Sequence, residues 1–157
     1  MNEQTFFITA NAYMKRNILQ SARMATLLID VLYSYRAQRK FLLHDFVVMP
    51  DHLHAIISAR VTIKKAGQFV KGGFSFRAKK ELGYPHNIWQ PGFYDHRIRD
   101  FDEYCVYKKY VAFNPVKRGL VITPQDFPYS SASGKFPLDV LPQGLKPLSL
   151  RATNTPR

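Results

Sequence analysis

The 157-residue sequence predicts an α+β fold, ferredoxin-like in its β-α-β-β-α-β order, with an antiparallel sheet, helices on one face and one further C-terminal helix. Three observations lead there. β-prone runs alternate with stretches whose apolar residues recur every three and four positions. Two of those runs are separated by Pro50-Asp51 alone, so they pair as an antiparallel hairpin. The fourth run is followed by a helical pattern with its own start signal.

The first strand is expected over 5–12 (TFFITANA), rich in β-branched and aromatic residues. Ser21 then opens a helix to about residue 38, whose apolar positions Met24, Leu27, Leu28, Val31, Leu32 and Tyr35 define one face. Strands follow at 41–49 (FLLHDFVVM) and 52–59 (HLHAIISA). A second helix is expected over 61–82, interrupted or kinked at Gly72-Gly73. The fourth strand is placed at 92–99. Asp100 with Glu103 then forms a capping-box pattern, opening a helix that should stop near Phe113, because Asn114 precedes a proline. Beyond Ser133 the periodicity fades, so the chain divides into a folded unit at 1–133 and a loosely held basic tail at 134–157 able to act as a DNA-contacting arm.

Composition narrows the class. A hydrophobic fraction of 46% suits a packed domain rather than a disordered chain, and a net charge of +12 points to a polyanionic partner, nucleic acid or an anionic membrane. No apolar run is long enough to span a bilayer, and Met1-Asn2-Glu3-Gln4 lacks the order of a signal peptide. Cys105 is the only cysteine, which excludes an intrachain disulfide and suits a reducing cytoplasm.

His52 and His54 alternate on one strand, so both rings share a face with Cα atoms roughly 6–7 Å apart, while Leu53 faces the core. Two such imidazoles can converge on one divalent cation. Spacing alone leaves open the reading of two partly exposed strand histidines. Tyr110 and Asn114 lie four apart at the end of the last helix and can reach one point. The Asn carboxamide oxygen is a hard donor suited to Mg²⁺ or Mn²⁺. Tyr110 could equally be a core residue, Tyr104 and Tyr107 packing residues or stacking platforms, and Trp89 a core anchor or, with Phe93 and Tyr94, a surface for bases. His44, His86 and His96 have no partner at ligand spacing.

Four segments in register resemble a known family: MPDHLHAII (49–57), KGGFSFR (71–77), IWQPGFYDHRIRD (88–100) and YVAFNPVKRGL (110–120). Together they are similar to the single-tyrosine transposases of the HUH superfamily, and in particular to the REP-associated tyrosine transposases. The resemblance covers about residues 5 to 131, including most of DFPYSSAS (126–133). It implies His52 and His54 as metal-binding histidines, Tyr110 as the nucleophile and Asn114 as the residue completing the metal set. Insertion-sequence members usually carry Gln at that last position, and the REP-associated branch carries Asn. The sequence departs from the pattern at Gly72-Gly73, where many relatives have a longer polar side chain.

The implied activity is metal-dependent nicking and joining of single-stranded or hairpin DNA through a 5′-phosphotyrosine, by a monomer or homodimer. Lys64, Lys65, Lys71, Arg77, Lys79, Lys80, Lys117 and Arg118 would follow the phosphate backbone, each with solvated surface charge as the plainer reading. A catalytically idle DNA hairpin-binding module is the competing expectation. A third, an RNA-binding ferredoxin-like protein, lacks the expected aromatic pattern over 41–59 and leaves the histidine pair unexplained.

Overall fold

The computed structural model describes residues 3–140 together with Pro142 and Leu145. Four strands and three helices alternate as β1 (Gln4–Asn11), α1 (Ala22–Ala37), β2 (Phe41–Met49), β3 (His52–Ala59), α2 (Ile63–Leu82), β4 (Tyr94–Ile98) and α3 (Phe101–Lys117). The sheet order is β2-β3-β1-β4, antiparallel throughout, which is the expected βαββαβ plan.

Alternation along the strands divides the interior in two. Phe6, Ile8, Leu43, Phe46, Leu53 and Ile57 pack beneath α1 and α2. Phe7, Val47, Met49 and Ile56 point the other way and pack with Tyr104 and Val111 of α3. The first two helices therefore share one face, and α3 closes the opposite one. Strict alternation would put Leu43 and Phe46 on opposite sides. A bulge between Leu43 and Asp45 adds the residue that keeps both in the same core.

Two helix expectations are corrected. α2 runs unbroken through Gly72-Gly73, because an added Cβ at Gly73 would fall 2.5 Å from the Tyr35 hydroxyl oxygen: the glycine admits a close neighbour instead of breaking the helix. α3 does not stop at Phe113. It continues through Pro115 to Lys117, with Gly119 in the left-handed region (φ 74°) just beyond. Pro115 removes only one helical donor, and both Asn114 and Pro115 are buried.

Residues 134–140 are held to the domain, with Phe136 and Leu138 against the main core. Arg36 donates two hydrogen bonds to Asp139, at 2.9 and 3.0 Å, and the backbone N–H of Leu43 donates a third at 2.8 Å. These contacts cover the open edge of β2 and were invisible in a segment without periodicity. Apart from Pro142 and Leu145, the remainder of the expected tail lies outside the described residues. No helix among the described residues is long and apolar enough to cross a membrane.

Candidate active site

Antiparallel register places Thr9 opposite His54 and Asn11 opposite His52, so these four side chains share the α3 face of the sheet. The imidazole centroids of His52 and His54 lie 4.4 Å apart. Both rings border a hollow of about 510 Å³ with Thr9, Lys15, Tyr94 and Tyr110. The paired-histidine reading thus acquires a cavity, although both side chains are largely buried, at 6% and 5% exposure.

The nitrogens facing away from the hollow are already used. Nδ1 of His52 lies 2.7 Å from Asp51 Oδ1. Burial alone would raise the Asp51 pKa, but His52, Lys15 and Arg118 together hold it below the usual carboxylate value. Asp51 is therefore an ionised acceptor, which fixes the hydrogen on Nδ1 and leaves Nε2 with a free lone pair. Nδ1 of His54 makes the corresponding contact with Thr9 Oγ1, at 2.8 Å. Burial pushes the pKa of His52 down, against the pull of Asp51, and pushes His54 down to about 3. Both rings are neutral at pH 7, the state a metal requires.

α3 brings its residues over this pair in steps of one turn. Tyr110 is 44% exposed, its ring centroid 5.3 Å from that of His54. Two turns later Arg118 reaches Asp51 Oδ1 at 3.4 Å, the same oxygen that holds His52. Asn114 lies between them on that stripe, 7% exposed, and its Oδ1 is the one buried side-chain polar atom without a hydrogen-bond partner among the described residues. An unsatisfied buried carboxamide oxygen costs about 1–3 kcal/mol. This one lies on the helix stripe between Tyr110, which meets His54, and Arg118, which meets Asp51, although Asn114 itself is not among the residues lining the hollow. Among the described residues no group of three His, Cys, Asp or Glu side chains is arranged to hold a metal ion.

Thr9, Asp51 and Lys15 join the site without any signal in residue spacing. Thr9 and Asp51 act through strand pairing and a loop contact, which spacing does not encode. Lys15 reaches the hollow because Met14 and Lys15 both take φ of 54°, a left-handed pair that reverses the chain. Its ammonium sits 3.1 Å from Asn11 Oδ1 and 3.5 Å from Asp51 Oδ2.

The basic residues expected to contact DNA divide into two groups. Arg77 is paired with Asp30 and Glu81, Arg118 with Asp51, and Lys71 donates to the carbonyls of Gln90 and Gly92. Lys64, Lys65, Lys79, Lys80 and Lys117 are exposed, the first four on the helix layer across the sheet from Tyr110. Trp89 donates to the Lys71 carbonyl at 3.0 Å and packs edge-on against Phe74, so it anchors a loop, while Tyr94, 54% exposed, faces the hollow. Tyr104 is buried and donates to Asp45 at 2.7 Å. Tyr107 lines the hollow, and His96 meets Glu103 at 2.8 Å.

Residues 5–113 match the family described as IS200-like transposases. The chain is 31% identical over 146 residues to the REP-associated tyrosine transposase of Escherichia coli (strain K12), covering 86% of this chain and 83% of that protein. It also superimposes on a solved REP-associated tyrosine transposase bound to a REP hairpin, with a TM-score of 0.69, 26% identity, and coverage of 94% of this chain and 91% of the other.

Proposed function

The chain belongs to the IS200-like transposases, among the REP-associated tyrosine transposases, and from that membership we propose that Tyr110 is the nucleophile that cuts and rejoins single-stranded DNA at hairpin-forming repeats. The observation that carries this reading is the exposed Tyr110 ring beside His54, in a hollow it shares with His52 and Lys15. A transposase of this kind is known bound to a REP hairpin, and the +12 charge of this chain suits the same polyanion.

Tyr110 Oη attacks phosphorus in line, forming the O–P bond as the bond from phosphorus to the 3′-oxygen breaks. The phenolic hydrogen is released to solvent, and the departing oxygen takes up a proton to leave a free 3′-OH. The 5′-phosphotyrosine keeps one phosphodiester-type bond, so another 3′-OH can reverse the step and join strands without a nucleotide cofactor. His52, His54 and Asn114 would hold a divalent cation, Mg²⁺ or Mn²⁺. The chemistry such an ion supplies when bound is Lewis acidity toward a phosphate oxygen. Lys15 points its ammonium into the same hollow and would pair with a non-bridging oxygen, while Asp51 holds His52 in the ligating tautomer and Thr9 orients the His54 ring. Monomeric and dimeric forms both satisfy this chemistry, provided Tyr110 and the histidines reach one phosphate.

The test is a labelled hairpin oligonucleotide copied from DNA flanking the gene, incubated with Mg²⁺ or Mn²⁺ and resolved under denaturing conditions. A covalent protein–DNA adduct is expected, lost in Tyr110→Phe and in His52→Ala and His54→Ala, with much of the binding retained in each. Binding without any adduct in the unaltered protein would instead establish an idle hairpin-binding module.

A further inference from the structure

The turn that delivers Lys15 to the catalytic hollow also shapes a neighbouring one. It is pinned at both ends: Tyr13 N–H donates to the Ile88 carbonyl at 2.7 Å, and Leu19 N–H donates to that of Pro50 at 2.9 Å. Side-chain-bearing residues take the left-handed conformation of Met14 and Lys15 only where their surroundings impose it. The reversal separates two consecutive cations. Lys15 lines the catalytic hollow, whereas Arg16 lines a second one of about 430 Å³ with Asn17, Ile18, Arg23, Leu82 and Tyr84.

Arg36, Arg60, Arg77 and Arg118 each have a carboxylate within ion-pair distance, whereas among the described residues Arg39, Arg97 and Arg99 do not and line neither hollow. What marks the second hollow is that two such arginines meet there. Among the described residues, Arg16 and Arg23 have no carboxylate at that distance, and both are exposed. Two uncompensated guanidinium groups beside a half-buried tyrosine ring, over a floor that includes the buried Met24, combine the features that recognise a nucleotide. Guanidinium groups take phosphate oxygens, and a ring with apolar neighbours takes a base face. The hollow lies at the same end of the sheet as His52, because α2 runs back from the end of β3 and finishes at Leu82.

We propose that this hollow is a nucleotide subsite that receives a single-stranded DNA residue on one side of the scissile phosphate, with Arg16 and Arg23 on its phosphate and Tyr84 against its base. The inference rests on the reading of Tyr110 as the nucleophile, which places the strand across the adjoining hollow. It also moves the single-strand path away from the outer face of α2, where Lys64 and Lys65 lie.

Three fluorescent oligonucleotides test it by anisotropy: a blunt hairpin copied from DNA flanking the gene, and the same hairpin with a short single-stranded extension on its 5′ or its 3′ side. For Arg16→Gln/Arg23→Gln, affinity for one extended form should fall about tenfold, with the salt slope of that complex shallower by about 0.7 for each phosphate no longer neutralised. Affinity for the blunt hairpin should be unchanged, which also reports an intact fold. Tyr84→Leu should weaken the same extended form without altering its salt slope. Equal losses on all three oligonucleotides, or no loss on any, would overturn the subsite. Adduct formation by the unaltered protein separates the two ideas. If no adduct forms while the extension-specific loss persists, the nucleophile reading fails and takes with it the subsite's place beside a scissile phosphate, leaving a single-strand contact only. If the adduct forms and the variants ignore the extension, only the subsite fails.

Discussion

Each histidine of the pair presents one nitrogen to the hollow because the other is already engaged, His52 by Asp51 and His54 by Thr9. Removing such a supporting group typically weakens metal affinity by about 10- to 100-fold, since the ring then rotates and samples the wrong tautomer. Thr9→Val keeps the shape of the side chain and removes its hydroxyl. It is expected to lower Mn²⁺ affinity by about tenfold in a calorimetric titration, with little change in thermal stability. Unaltered Mn²⁺ binding would show that His54 is oriented by packing against Phe7 alone, whose ring lies 5.0 Å away.

At the scale of an element, the glycines of α2 separate packing from propensity. An added Cβ at Gly67 would sit 2.2 Å from Phe93 Cε1, whereas one at Gly72 meets nothing within 4 Å. Gly72→Ala is therefore expected to stabilise the protein by about 0.5–1 kcal/mol, the helix-propensity gain. Gly67→Ala should destabilise it by about 1–3 kcal/mol, because the Phe93 ring has to be displaced. Urea denaturation of the two variants should give midpoint shifts of opposite sign; shifts of the same sign would contradict the packing around Gly67. α3 shows the converse: a proline that reads as a stop lies inside the helix, itself buried, at the cost of one backbone donor.

For the whole molecule, the segment after α3 acts as a cover for the edge of β2. Ser131 Oγ both accepts from and donates to the backbone of Phe46, and Asp139 bonds Leu43 and Arg36. Asp139→Ala should cost about 1–3 kcal/mol in chemical denaturation, since it leaves a backbone N–H and a guanidinium without their carboxylate. His44 joins this cover to the sheet, with Nε2 2.7 Å from Ser58 Oγ, and burial lowers its pKa below 6.5. As pH falls through 6.5 the unfolded chain takes up the proton first, so stability present above that pH is lost on the way down to the folded-state value. The urea midpoint should drop between about pH 7.5 and 5.5, and drop less in His44→Gln; identical losses would exclude His44 as a contributor. DNA affinity should decline steeply with salt, and a flat response would refute the role given to the net charge.

The order of elements, the shared face of His52 and His54, and the one-turn step from Tyr110 to Asn114 can all be read from the chain without its fold. These depend only on the two periods of a polypeptide, close to two for a strand and 3.6 for a helix, and on local start and stop residues. The tertiary structure alone decided which side chains serve those residues. Thr9 reaches His54 through strand register, Asp51 joins His52 to Lys15 and Arg118 across three separate segments, and Asp139 closes an edge 96 residues away from Leu43. Local preference carries no information about such distant pairs. They form because burying both faces of the sheet leaves each of these polar groups a single place to be satisfied.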